Sequence, residues 1–488
     1  MELMPPLAPG PVRYERHRPE TTLLYQLVER HYPDFLVALA ERDRHLPAYV
    51  QEEFVSYLKC GRLEHGFLRV RCTTCHAERL VAFSCKRRGF CPSCGGRRMT
   101  ESAALLVDEV LPAEPIRQWV LSVPFPLRFL FAAEPAAMGR VLAIVYRAMA
   151  SALIRKAGLT RAKGQTGAVT LIQRFGSALN LNIHFHMLCL DGAYTRDNGR
   201  PHFRRVPPPT PAELDALLKE ITARIARHLE RRGLLIRDLE SSHLTRAPGE
   251  DAALEILQGH SITYRIAVGP HEGRKAFTLQ TVPANERTTT PFLANHGGFS
   301  LHAGVAVRGG DKKTLERLCR YITRPALAEG RLSLTPQGRV RYTLKTPYRD
   351  GTTHVVFAPL DFIARLAALV PKPRVHLTRY HGVFAPHSRW RAQITPAGRG
   401  SGARAVDTRT PAERHRAMSW AQRLKRVFKL DLSSCEGCGG QVRVIACLED
   451  PLVIGKILAH LETRRRVLAG EGRRPEVRGP PPGTLKLR

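Results

Sequence analysis

The chain has 488 residues, enough for about two to four domains with cores of their own. Its 76 lysines and arginines against 43 acidic residues leave a net charge of +33, with arginine the commoner cation. That excess argues against an ordinary metabolic enzyme and for a polyanionic partner, nucleic acid above all. No run of about 18 apolar residues occurs and the opening MELMPPLAPGPVRYERHRPE lacks the apolar stretch of a secretory signal, so no membrane partner is expected. The eleven cysteines then read as metal ligands and thiols of a reducing cytoplasm, where a cationic protein would sit on the nucleoid.

Residues 1–20 are proline-rich and polar and read as a loose tail. From Leu23 to Leu58 apolar residues recur at helical spacing, which predicts two or three short helices opening a domain over 21–112. Six cysteines follow: Cys60, Cys72, Cys75, Cys85, Cys91 and Cys94. Cys72-x2-Cys75 and Cys91-x2-Cys94 stand fifteen residues apart, the spacing of a zinc ribbon, in which two knuckles close a tetrahedron of thiolates around structural Zn2+. Four thiolates leave no open position for chemistry. Cys60 and Cys85 are left over, either for a second ion with His65 or His76 or as buried thiols. The basic KRRGF and GGRRM around this cluster suit phosphate.

Further on, 103–111 reads as a helix stopped by Pro112, 117–131 holds two strand-like apolar runs (WVLSV and LRFLF), and 138–157 is an amphipathic helix ended by Gly158. AVTLIQRF, 168–175, reads as a strand whose buried face runs through Val169 and Leu171 to Gln173. After the short connection GSALN comes NLNIHFHMLCLD, in which Asn180, Asn182, His184 and His186 alternate with Leu181, Ile183, Phe185 and Met187. Period-two alternation predicts a half-buried strand with both imidazoles on one face, close enough to share a divalent cation. A hairpin would set Gln173 beside them as third ligand, and an amide oxygen favours Mg2+ or Mn2+.

Residues 196–310 form a mixed insertion with one clear helix from Pro211 to about Arg231. DKKTLERLCRYITR, 311–324, predicts a helix with Asp311 as N-cap and a stop at Pro325. Arg317, Tyr321 and Arg324 fall along one side of it, so two guanidiniums would flank a phenol and bind a phosphodiester. Residues 392–425 read as a linker, 426–465 as a small module carrying another knuckle, Cys435-x2-Cys438, with Cys447 and His460 as candidate partners, and 466–488 as a basic tail.

FSCKRRGFCPSCGGRRM, FGSALNLNIHFHMLCLDG and RYITRPALAEGRLSL, in that order, resemble the HUH rolling-circle transposases of the bacterial insertion sequence ninety-one type, over about residues 20–390. The resemblance puts the HUH pair on His184 and His186 and the nucleophile on Tyr321. It implies an α+β chain: a zinc-ribbon-like N-terminal domain, a ferredoxin-like HUH core over 113–391 with an antiparallel sheet and helices on one side, and a small C-terminal cysteine module. Some members carry two tyrosines four residues apart; here Arg317 stands four before Tyr321, so the chain resembles a single-tyrosine member. The implied activity is cutting and rejoining of single-stranded or extruded DNA through a 5′-phosphotyrosine, with a divalent metal on His184, His186 and Gln173 and no nucleotide cofactor. Self-association stays open. A rolling-circle replication initiator would use the same chemistry at a plasmid origin, but the N-terminal cysteines favour a transposase. A zinc-ribbon regulator without chemistry would leave Gln173, His184, His186 and Tyr321 idle.

Overall fold

The computed structural model describes residues 18–237, 242–245, 252–284, 291–398 and 434–468. These fall into two compact units, the larger built from 20–58 and 85–398, the smaller chiefly from 59–84 and 434–468. The expected tails and linker (1–17, most of 392–425, and 469–488) lie outside the described residues.

In the larger unit α1 (Leu23–Ala40) and α2 (Ala48–Lys59) supply the helices that the 23–58 spacing predicts. The smaller unit opens with the hairpin β1 (Phe67–Cys72) and β2 (Glu78–Ala82). Back in the larger unit, α3 (Pro92–Leu105) runs into a single π-turn at Leu106–Val110, followed by β3 (Ile116–Ser122). LRFLF is not a strand but part of α4 (Phe125–Ala133), where Pro126 sits in the first turn, a position at which a missing N–H costs nothing.

Next comes α5 (Pro135–Lys156), long and apolar enough by composition to cross a membrane. Its residues Met138, Val141, Val145, Ala148 and Met149 are instead buried in the protein core. Then follow β4 (Gly167–Phe175), β5 (Leu181–Leu190), the hairpin β6 (Gly192–Asp197) and β7 (Arg200–Arg205), and α6 (Pro211–Arg231), the helix expected in the insertion. A short pair, β8 (Leu235–Arg237) and β9 (Ser242–Leu244), precedes α7 (Ala252–Ile262) and β10 (Phe277–Gln280). After β11 (Leu293–His296) and β12 (Phe299–Val307) comes α8 (Lys312–Ile322). The larger unit ends with β13 (Leu332–Leu334), β14 (Val340–Thr343), β15 (Thr352–Phe357), α9 (Pro359–Leu369), β16 (Thr378–Gly382) and α10 (Arg391–Ile394). The smaller unit closes with β17 (Val442–Leu448) and α11 (Pro451–Leu468).

The central sheet has six strands in the order β11-β12-β3-β5-β4-β16, antiparallel throughout. Both of its faces are covered, so β5 is buried along nearly its whole length rather than half-buried as its alternation suggests. One face, carrying Trp119, Leu121, Ile172, Phe185 and Met187, packs under α4, α5 and α6. The other, carrying Val169, Leu171 and Leu188, packs against α3 and α8 through Ala103, Leu315, Cys319 and Ile322. Helices therefore stand on both sides of the sheet, not on one. A buried ion pair fastens its centre: Arg117 on β3 grips both carboxylate oxygens of Asp191 at 2.9 and 2.7 Å and donates to Ala303 O on β12 at 2.9 Å.

In the smaller unit β17 hydrogen-bonds to β1, giving a three-stranded sheet β17-β1-β2. The C-terminal cysteine segment, expected as a module of its own, is thus an edge of the N-terminal hairpin's sheet. Chain spacing holds no signal for such a pairing, because strand partners are chosen by complementary surfaces and not by proximity in sequence.

Candidate functional site

β4 and β5 form the predicted hairpin, and its register sets Gln173 directly opposite His184 and Leu171 opposite His186. The connecting turn is tight. Gly176 N–H donates to Asn180 O at 2.9 Å, and a Cβ on Gly176 would lie 2.3 Å from Asn180 Oδ1. Leu179 takes φ of 56°, a left-handed conformation that costs about 1–2 kcal/mol outside glycine and is offset here by complete burial of its side chain.

Both imidazoles point to the face that carries α8. Their Nε2 atoms stand 3.1 Å apart, and His184 Nδ1 lies 2.9 Å from Asn182 O. With Nδ1 donating to that carbonyl, His184 presents an unprotonated Nε2. Burial holds both rings neutral, pushing His184 down to about 4 and His186 to about 3, and the positive charge of Arg324 acts in the same direction. Two ligand nitrogens at right angles on an ion about 2.1 Å from each would be about 3 Å apart, so the pair fits one divalent cation. Gln173 is buried, and its Nε2 donates to Ile322 O, the last residue of α8, at 2.9 Å. That bond uses the donor side of the amide and leaves the carbonyl oxygen as the end suited to a cation.

The same bond ties the hairpin to the residue after Tyr321. Asp311 caps α8 as expected, its Oδ1 accepting from Thr314 N–H at 3.0 Å, and Leu315, Cys319 and Ile322 form the buried stripe. Tyr321 lies off that stripe and is 42% exposed, which leaves its phenol accessible. Two cations stand over its ring, Arg324 at 4.5 Å and Lys345 at 4.3 Å. Beside the phenol Lys345 stands where the sequence suggests Arg317: Arg317 is exposed halfway along α8, and the ring partners are Arg324 and Lys345. Nothing in the sequence marks Lys345, which reaches the site from the turn after β14. Tyr194, the other tyrosine near the histidine strand, is buried against Phe203, and burial pushes its phenol well above the ordinary range.

The cysteines divide differently from their spacing. Cys72 and Cys75 do not join Cys91 and Cys94; they meet Cys435 and Cys438, with all four sulfurs within 4.8 Å of one another. Cys72 and Cys438 are 3.5 Å apart, as are Cys75 and Cys435. Thiolates about 2.3 Å from a tetrahedral zinc are about 3.8 Å from one another, so this quartet has the dimensions of a structural site. Backbone N–H groups of Cys75 and Thr74 pull the Cys72 thiol down to about 6, favouring the thiolate that zinc needs. Cys447 and His460 belong to no metal-sized group among the described residues, nor do His65 and His76. In the larger unit Cys91 caps α3, Cys94 follows in its first turn, and both lie within 4.8 Å of Cys85, whose sulfur is 3.4 Å from that of Cys94.

Residues 27–123 match the family model described as a transposase zinc-binding domain, of the IS91 type, and residues 167–391 match the one described as "Putative transposase". No curated protein and no solved structure matches the chain. With Cys72, Cys75, Cys85, Cys91 and Cys94 on the first segment and the histidine hairpin and Tyr321 on the second, the chain belongs to the IS91-type transposases with an N-terminal zinc-binding domain. It is thus a nucleic-acid-processing enzyme whose substrate is DNA, with a zinc-binding domain and cysteine groups suited to structural zinc.

Proposed function

We propose that this transposase cuts and rejoins single-stranded DNA with Tyr321 as its covalent nucleophile, in the HUH manner. The observation that carries the reading is the join between hairpin and helix: Gln173 faces His184 in register and bonds to Ile322, next to an accessible Tyr321 under two cations. The strand order β12-β3-β5-β4, with helices between β3 and β4 and between β5 and β12, matches a ferredoxin-like arrangement and supports an HUH core. His184, His186 and Gln173 would hold a divalent Mg2+ or Mn2+, which when bound supplies positive charge to the scissile phosphate. Arg324 and Lys345 steady the phenolate and the phosphate's negative charge. The Tyr321 oxygen attacks phosphorus, the bond to the 3′ oxygen breaks, and a 3′-hydroxyl and a 5′-phosphotyrosine result. The phosphodiester is conserved in that ester, so rejoining needs a 3′-hydroxyl and no nucleotide. On the zinc-binding reading of this segment, Cys85, Cys91 and Cys94 would contribute thiolates to a second structural zinc.

The test is to incubate the full chain with labelled single-stranded DNA and Mg2+ or Mn2+ and look for a denaturation-resistant adduct. Tyr321→Phe should abolish it while DNA binding stays within about twofold, because the arginine and lysine phosphate contacts remain. An adduct that survives in Tyr321→Phe and disappears in Tyr194→Phe would overturn the assignment.

A further inference from the structure

Behind Gln173 the larger unit holds a cavity of about 140 Å3, room for about four or five water molecules. Gln173 and Phe175 form one wall, and five arginines line the rest: Arg87, which is paired with Glu52 at 3.1 Å, and four more, Arg88, Arg98, Arg174 and Arg324. None of the four forms an ion pair with a carboxylate among the described residues. Their hydrogen bonds run to main-chain carbonyls: Arg88 to Lys372 and Val375, Arg98 to Lys86 and Arg87, Arg174 to Leu369 and Val370, Arg324 to Tyr321. Carbonyl oxygens fix where a guanidinium sits without cancelling its charge.

The arginines are near enough to act on one another. Burial pushes Arg174 down to about 10, with Arg88 adding to it, and Arg98 adds to the same effect of burial on Arg88. The carboxylate that reaches this group is Glu53, whose Oε1 accepts from Gly89 N–H at 2.6 Å. One acid against four guanidiniums leaves a partly buried positive excess, costly until an anion enters. The chain is shaped to bring these groups together. Gly95, in the first turns of α3, lies so close to Pro325 that a Cβ would be 2.9 Å from it, and this lets the cationic face of α3 meet the segment after α8.

We propose that this cavity is a phosphate subsite, taking one backbone phosphate of the single-stranded DNA next to the phosphate presented to Tyr321; it rests on the reading of that site given above. The cavity is too small for a nucleobase with its sugar, but it fits a phosphate and its ester oxygens. Its shared wall, Gln173, would place the bound phosphate one step along the strand from the histidines. Arg324, under Tyr321 on one side and 5.4 Å from the Phe175 ring on the other, would span the two phosphates. The anchoring half of the site comes from the segment after Cys85, which gives the zinc-bearing part of the chain a direct hold on the substrate strand.

The test reads binding alone, with oligo(dT) of about 20 nucleotides, no added divalent cation and the full chain. Arg98→Gln should weaken binding about tenfold and lower the slope of log affinity against log salt by about 0.7, the share of one phosphate on a single strand. Arg227→Gln, an equal charge change on an exposed arginine of α6, should cost less than about twofold. Arg98→Lys, which keeps the charge and loses the fork, should fall between them. Equal losses in Arg98→Gln and Arg227→Gln would overturn the proposal. A second measurement needs no variant: bound oligo(dT) should protect Arg98 and Arg324 from phenylglyoxal, read by mass spectrometry, more than it protects Arg227. Equal modification of all three would also overturn it. Neither measurement involves cleavage, so the subsite and the Tyr321 chemistry stand or fall separately.

Discussion

The histidine hairpin and the cysteine quartet are both candidate metal centres, yet they are assembled in opposite ways. His184, His186 and Gln173 come from two adjacent strands joined by five residues. Their relation is fixed by strand alternation and one turn, so it can be read locally. Cys75 and Cys435, by contrast, meet across a separation of 360 residues. A local centre can be disturbed without unfolding its surroundings, because the sheet is held by other strands. A centre closed by distant segments is itself the fastening.

The comparison makes its sharpest forecast for Cys435→Ser. Removing one ligand should lower bound zinc by one per chain and unfold the smaller unit, a loss on the order of 10 kcal/mol of metal-coupled stability. Mn2+ binding at the histidines should be unchanged. If zinc content stays constant, the quartet is misassigned.

His184→Ala should show the reverse pattern. Zinc content and the melting profile should stay close to those of the parent, while adduct formation falls by about a thousandfold, or about 4 kcal/mol. Undiminished adduct formation would remove the histidines from the chemistry.

Acid should separate the two centres less strongly. The folded-state values of about 4 and about 3 for His184 and His186 lie below the unfolded 6.5, so the folded state binds fewer protons. Their contribution is therefore present in full above pH 6.5 and declines as pH drops towards the folded values. The unfolding free energy from urea titration should fall by about 3 kcal/mol between pH 6.5 and 5, and by less in a His184→Gln/His186→Gln variant. The same slope in both proteins would show that other groups govern the decline.

The smallest effect belongs to the cap of α8. Asp311→Ala should cost about 1 kcal/mol by chemical denaturation, and adduct formation should drop modestly as Tyr321 loses its fixed position.

What the sequence made legible follows the same division. β5, the β4–β5 turn and α8 with its cap are visible because alternation, a short connection and an aspartate before a helical stripe are local signals. LRFLF misleads because five apolar residues carry no period of their own, and the proline that suggests a break is in fact in the first turn of α4. The C-x2-C spacing identifies knuckles but does not say which knuckles meet. Lys345 is invisible for a similar reason: a lone lysine in a turn becomes part of the site only through where β14 ends. Alternation also suggested a solvent-facing side for β5, and a second layer of helices covers it instead.

The pairing of β1 with β17 has a consequence for how the protein is made. Synthesis runs from the N-terminus, and the 360 residues between Cys75 and Cys435 take roughly 20–70 s to produce. Throughout that time the β1–β2 hairpin carries an open dithiol and lacks its third strand. Closing so long a loop costs about 5 kcal/mol of chain entropy, which strand pairing and zinc must together exceed. The smaller unit is therefore a record of completion: a chain interrupted anywhere before Cys435 has no such unit, and its first knuckle stays exposed to oxidation and to proteases.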